Sequence, residues 1–221
     1  MGIISVEHID RLLWLGRYTE RVYTTLHLFA KYFDSMIDLN MDEYEKFCTS
    51  QDIPNNYSSI DEFTDRYCFA GDDPNSIYSN LMRAYDNAIV LREEIGSETL
   101  AYIQLAVYAM NIAAASDVPI VKLQKVTDNI VAFWGKADDA IGNETVRDLI
   151  TIGKLIEKID IYSRLKTNIP AIRTELKRLN ARITSVNIRY DRRCLMHLNY
   201  LVEEDEPDYA EIVKEVEALI K

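Results

Sequence analysis

Cysteine, proline, glycine and histidine are all scarce in this sequence. Its three cysteines, Cys48, Cys68 and Cys194, are odd in number and show neither a disulfide framework nor a metal-like or redox-like spacing. That pattern fits a reducing cytoplasm. Five Pro and seven Gly in 221 residues favour long helices over many turns. His8, His27 and His197 form no His-x-x-x-His or Glu-x-x-His pattern, so the ligand set of helical carboxylate di-iron sites is missing. No Gly-rich phosphate loop follows a strand, and no Ser or Cys has a recognisable nucleophile context. No basic region precedes an apolar run at the N-terminus, which argues against a secretory signal. The longest apolar stretch, residues 100–115, is interrupted by Tyr102, Gln104, Tyr108 and Asn111. It reads as a buried helix, because a membrane span needs about 20 apolar residues. Positive charge is also in deficit. A formal net charge of −11 argues against a nucleic-acid binder, whose affinity comes largely from cations on phosphates. The expectation is a cytoplasmic protein without a membrane segment, metal or other cofactor.

What the chain does have is apolar residues in helical register and a motif that returns. Hydrophobic residues make up 48% of the composition, enough for a sizeable core in one large domain or two small ones. Leu15-Gly16-Arg17-Tyr18-Thr19-Glu20-Arg21 is answered by Ile152-Gly153-Lys154-Leu155-Ile156-Glu157-Lys158, and the flanks agree, with Leu12 matching Leu149 and Leu13 matching Ile150. A motif that returns with its apolar surroundings marks an internal repeat. Two copies are too few for a solenoid, so a pseudo-symmetric pair inside one domain is expected. Heptad lines place Ile9, Gly16, Tyr23, Ala30 and Ile37 beside Leu12, Leu26 and Phe33, a core-facing seam. A glycine at such a seam costs roughly 1 kcal/mol against alanine, and it lets another backbone come close. Gly16 and Gly153 are therefore placed at a helix crossing.

Turn and cap signals divide the rest. Ser5 caps a first helix to about residue 39, and a short helical piece covers 42–49. Ser59 with Glu62 forms a capping-box pattern, and Ser76 caps the next helix. Gly96 interrupts that helix and Ser97 recaps it. A helix runs from Pro119 to about Ile141, and Asn143 caps another to residue 168. From Pro170 a single helix is expected to about residue 201. No segment alternates like a strand. The fold class is all-α, a helical bundle with an internal pseudo-duplication. The organisation expected is a helical domain over 1–202 with copies centred on 6–39 and 144–168, an acidic linker at 203–207 and a C-terminal amphipathic helix at 208–221.

The motif residues also carry a resemblance. Residues 9–21, IDRLLWLGRYTER, resemble the opening motif of the Alpha-E family, a bacterial helical domain named for its Glu-Arg pair and typically duplicated. Residues 152–160, IGKLIEKID, are similar to its second copy, with Lys158 in place of arginine. The run Arg83, Asn87 and Arg92, followed by Ser97-Glu98, is similar to the family's central stretch. The resemblance covers the chain to about residue 165. It implies association with peptide-synthesis or peptide-modification systems containing circularly permuted ATP-grasp ligases and transglutaminase-like proteins.

The binding residues put forward are Arg17, Glu20, Arg21, Arg83, Asn87, Arg92, Glu98, Lys154, Glu157 and Lys158, with no catalytic residue assigned. Glu20 has two readings, a solvated ion pair with Arg17 and Arg21 or a buried charge shared between helices. The second requires pairing and hydrogen bonds, and Arg17, Arg21, Arg83 and Arg92 are the expected donors. A stretch rich in arginine and lysine from residue 164 to 193 has two readings, a solvated helix face, which is the commoner case, or a patch that attracts an acidic partner or a phosphate. The function expected is an accessory or binding module that meets a ligase-type partner or an anionic ligand, with a homo-oligomer also open. The alternative is an enzyme component using Glu20 and Glu157 on an anionic peptide or nucleotide. Arginines around a carboxylate lower its pKa, which suits orienting a ligand better than general acid work.

Overall fold

The computed structural model describes residues 4–38 and 43–220, with side chains outside the description at 31–38 and 43; Phe33 and Ile37 of the expected seam fall among the latter. The described residues form α1 (Val6–Asp38), α2 (Glu43–Ser50), α3 (Ile60–Phe69), α4 (Ile77–Val90), α5 (Arg92–Ile95), α6 (Ser97–Ala114), α7 (Pro119–Ala140), α8 (Glu144–Arg164), α9 (Ile169–Ile183), α10 (Arg192–Leu201) and α11 (Tyr209–Glu217). The fold class is all-α, as the periodicity requires.

The axis of the bundle is the pairing of α1 with α8. Leu12, Leu15 and Val22 of α1, and Leu149, Ile152 and Ile159 of α8, are fully buried. At the crossing, a Cβ on Gly16 would fall well inside 3.0 Å of the Ile150 carbonyl, and one on Gly153 inside 3.0 Å of the Leu13 carbonyl. Leu13 and Ile150 occupy equivalent places in the two copies, so the close approach is reciprocal and defines a local pseudo-two-fold axis. Hydrogen in place of a side chain lets both backbones sit there.

The other helices build outwards. On one side, α4 lies on α1, and α6 packs on α4 and pairs closely with α7, which also touches α1. On the other, α9 and α11 pack on α8, and α10 bridges α9 and α11. Phe29 of α1 meets Phe63 and Tyr67 of α3 in an aromatic cluster that also takes in Phe47 of α2. The cluster fixes the loop-rich segment 43–76 onto α1.

Several ends follow their cap residues. Ser76 accepts from the Ser79 N–H, and Asn143 from that of Thr145. Ser59 accepts from the Glu62 N–H, but Glu62 reaches back to the Ser58 N–H rather than to Ser59. Ser97 is not a cap. It is the first residue of α6, and its hydroxyl accepts from Arg92 Nε at 2.9 Å. Gly96, at φ 79°, makes the bend between α5 and α6. The single helix expected over 170–201 is two, with residues 184–191 between them. No Gly or Pro marks that break. Ser185 instead donates to Asp148 of α8 at 3.2 Å, and Asp191 caps α10 by accepting from Arg193 and Cys194.

Candidate functional site

Arg17 and Arg21 stand one turn apart on α1 and converge on a single carboxylate across the crossing. Arg17 Nε donates to Glu157 Oε2 at 2.8 Å, and Arg21 Nε donates to Oε1 at 2.5 Å. Glu157 is fully buried. Burial alone would raise its pKa, but Arg21 and then Arg17 outweigh that and hold the carboxyl below the usual range. Arg21 Nη1 also donates to Asn80 Oδ1 at 3.3 Å, which ties α4 into the cluster. Beside it, Asp160 accepts from Arg164 at 3.2 Å. Burial and the neighbouring Glu157 charge push the Asp160 carboxyl up.

Glu20 has a different environment. It is buried, yet no arginine holds it, contrary to the expectation from sequence. Oε1 accepts from Thr24 Oγ1 at 2.8 Å, while Oε2 lies 4.0 Å from Lys154 Nζ and is buried without a hydrogen-bond partner. The reason is the crossing itself: it delivers the cations of each copy to the glutamate of the other. Glu157 therefore receives the two guanidiniums of α1, and Glu20 receives a lysine of α8. An ammonium is a point charge and lacks the fork that grips a carboxylate. Burial accordingly raises the Glu20 pKa, with Lys154 offsetting only part of it. Burial likewise lowers that of Lys154. Lys158 turns outward to Glu175 of α9 at 3.1 Å. Lys154 Nζ also lies 3.3 Å from the centroid of the Trp134 ring, and Trp134 Nε1 donates to Thr19 Oγ1 at 3.2 Å.

Two cavities flank these charges. The smaller, about 210 Å³, is lined by Arg17, Arg21 and Arg164, and by Asp52, Glu157, Asp160 and Glu217. Its three cations and four carboxylates nearly balance. The larger, about 520 Å³, lies among α7, α8 and α9 and is lined by Trp134 with Arg147, Lys154, Lys158, Arg178 and Arg182 against Asp138 and Glu175. Five cations face two lining carboxylates there, beside an indole, with Glu20 behind Lys154 and Asp148 behind Arg182 offsetting part of the excess. That surplus suits a carboxylate or phosphate lying on an aromatic face.

Of the remaining candidates, Arg83 touches this centre at Asn80 Oδ1, 3.5 Å from its Nη1, while Asn87, Arg92 and Glu98 lie apart from it. Arg83 donates to the Pro74 carbonyl at 2.8 Å and lies over Tyr18. Asn87 is buried and accepts from Arg11 at 3.2 Å, pinning α4 to α1. Arg92 is exposed and held by Ser97. Glu98 is exposed and pairs with Lys136 at 2.6 Å. Glu20, Glu98 and Glu157 thus each face a different cation instead of converging. The basic stretch 164–193 is also dispersed, with Arg173 on Glu203, Arg178 on Glu175, and Arg182 on Asp148. Burial pushes the Cys48 thiol up to about 11 and raises that of Cys68 as well, which leaves no thiolate near neutral pH at either position.

The opposed glutamates, each followed by a cation, and the glycine crossing place the two copies of the sequence repeat against each other in space. A family model for Alpha-E, described as a predicted alpha-helical domain with a conserved ER motif, matches residues 7–189. The chain belongs to the Alpha-E family. No curated protein and no solved structure matches it. Within the matched span, the repeated stretch carries Glu20-Arg21 in its first copy and Glu157-Lys158 in its second. The matched span takes in α1 to α9; α10 and α11 lie beyond it. Among the described residues, no helix is long and apolar enough to cross a membrane.

The sequence did not point to Asn80, Trp134, Asp160, Glu175 or Arg178 as members of the centre. Trp134 and Asn80 sit on helices whose register against α1 and α8 is set by packing. Asp160 with Arg164, an i,i+4 pair at the end of the second copy, and Glu175 with Arg178, an i,i+3 pair on α9, carried a local signal.

Proposed function

We propose that this Alpha-E chain is a helical binding module that receives an anionic group, a carboxylate or a phosphate, of a peptide or nucleotide handled by a peptide-modification system. The observation that carries the reading is the cation surplus of the cavity of about 520 Å³ beside Trp134. In that reading an ATP-grasp-type ligase is the partner that supplies or consumes the ligand, in keeping with the company the family resemblance implies.

The two glutamates favour binding over catalysis. Both oxygens of Glu157 are occupied by arginines, and its lowered pKa keeps it ionised, so it neither gives nor takes a proton near neutral pH. Glu20 has a raised pKa, but it is 1% exposed and lines neither cavity, with Lys154 beside it. A substrate would have no route to it without displacing that lysine. The enzyme alternative would require such a displacement.

Trp134 provides the readout. An anion in the cavity draws Lys154 from the indole face, so titration with pyrophosphate or a short oligo-glutamate peptide should change tryptophan emission saturably. The affinity should weaken with salt, and Lys158→Glu with Arg178→Glu should abolish the change. Emission that stays flat with both probes would overturn the anion-binding reading. Turnover by the isolated chain that is lost in Glu20→Gln would overturn the binding-module reading.

A further inference from the structure

Outside the family span, α10 and α11 bring together three donors that nothing above uses. His197 Nδ1 lies 3.0 Å from Glu215 Oε1. Glu211 stands one turn before Glu215 on α11. Ligand atoms of His197, Glu211 and Glu215 all lie within 4.8 Å of one another, and each residue is partly buried. We propose that these three side chains form a binding site for a divalent transition-metal ion of the zinc class.

The chemistry of the set favours that class. A neutral imidazole and two carboxylates give one nitrogen and two oxygen donors, and the two negative charges balance a divalent ion. Zinc takes such His and Glu ligands at about 2.0–2.2 Å, in sites with three protein ligands and one open position. Tetrahedral bonds of that length place neighbouring donors roughly 3.4 Å apart. His197 and Glu215 already stand near that spacing, and a Glu211 oxygen lies within 4.8 Å of both. Imidazole also favours zinc, nickel and copper over magnesium and calcium, which prefer an all-oxygen shell.

The site lies between two helices that meet late in the chain. Asp191 N–H donates to the Leu219 carbonyl at 2.8 Å, and Arg164 holds Glu217 at 2.6 Å. A metal at Glu215 adds a clip between α10 and α11 close to those contacts, and so steadies Glu217 beside the smaller cavity. One group opposes the ion. Lys214 Nζ pairs with both Glu211 oxygens, at 2.9 and 3.1 Å. It is an exposed lysine on a flexible stem, so the ion displaces it at little cost.

The test is calorimetry of the full chain with zinc chloride, alongside nickel and magnesium, and a thermal melt with and without zinc. One zinc ion should bind, magnesium should not compete, and the melting temperature should rise, because a ligand of the folded state stabilises it. His197→Gln and Glu215→Gln should each weaken binding by at least about tenfold, while His8→Gln leaves it unchanged. Lys214→Gln should tighten binding several-fold by freeing Glu211, an outcome that a structural role for these residues would not produce. Zinc binding that survives both His197→Gln and Glu215→Gln, or no saturable binding at all, would overturn the assignment.

Discussion

Gly16 sits so close to the Ile150 carbonyl that even a methyl group has no room between them. The same relation holds between Gly153 and Leu13. This reciprocal contact sets the distance between α1 and α8. It thereby decides that Arg17 and Arg21 reach Glu157 and that Lys154 reaches Glu20.

Gly16→Ala and Gly153→Ala should each destabilise at or above the upper end of the ~1–3 kcal/mol seen for overpacking, because the obstruction is backbone rather than a movable side chain. Gly135→Ala is the contrast. That glycine lies inside α7 with nothing within 4 Å of an added Cβ, so the change should stabilise by about 0.5–1 kcal/mol. Urea denaturation of the three variants checks the ranking.

Glu157→Gln removes the carboxylate that two guanidiniums share, and it should cost about 3–5 kcal/mol. Glu20→Gln should change stability by no more than about 1 kcal/mol at neutral pH, since burial already disfavours its charge. Equal losses for the two variants in chemical denaturation would mean that the opposed clusters are energetically alike, against the geometry.

The same contrast predicts pH slopes of opposite sign. The Glu157 carboxyl is held low in the folded state, so its contribution is present above the unfolded value of 4.5 and fades as pH falls through the folded pKa. Glu20 is raised, so its contribution is complete below 4.5 and is lost as pH rises through the folded pKa. Relative to the wild type, Glu20→Gln should gain stability as pH climbs from about 4.5, whereas Glu157→Gln should recover only at lower pH. Thermal melts across acidic to neutral buffers measure both.

Ile212 and Leu219 are fully buried and Val216 nearly so, although they follow the acidic run at 203–206. Ile212→Ala should cost about 2–5 kcal/mol and lower the single unfolding transition of the whole chain. A separate early transition would show α11 to be an independent appendage.

Much of this architecture is written locally. The heptad seam, the two seam glycines and caps such as Ser76 and Asn143 depend on neighbours a few residues away, which is why they were readable along the chain. For Glu20 the sequence left a solvated pair and a buried charge open, and both Glu20 and its counterpart Glu157 are buried. No Gly or Pro marks the break between α9 and α10; Asp191 caps α10, and the bond from Ser185 to Asp148 forms only once α8 is packed alongside. The pairing of charges was not readable along the chain. Arg21 and Glu157 are 136 positions apart, and their meeting depends on the angle and spacing of two helices. Trp134 under Lys154, and His197 facing Glu215, arise the same way. The sequence by itself determined the helices and the apolar seam of each, because that seam follows the 3.6-residue period. Tertiary structure alone decided which cation meets which carboxylate across the α1–α8 crossing, because a partner on another helix is chosen by distance in space after the backbones have packed.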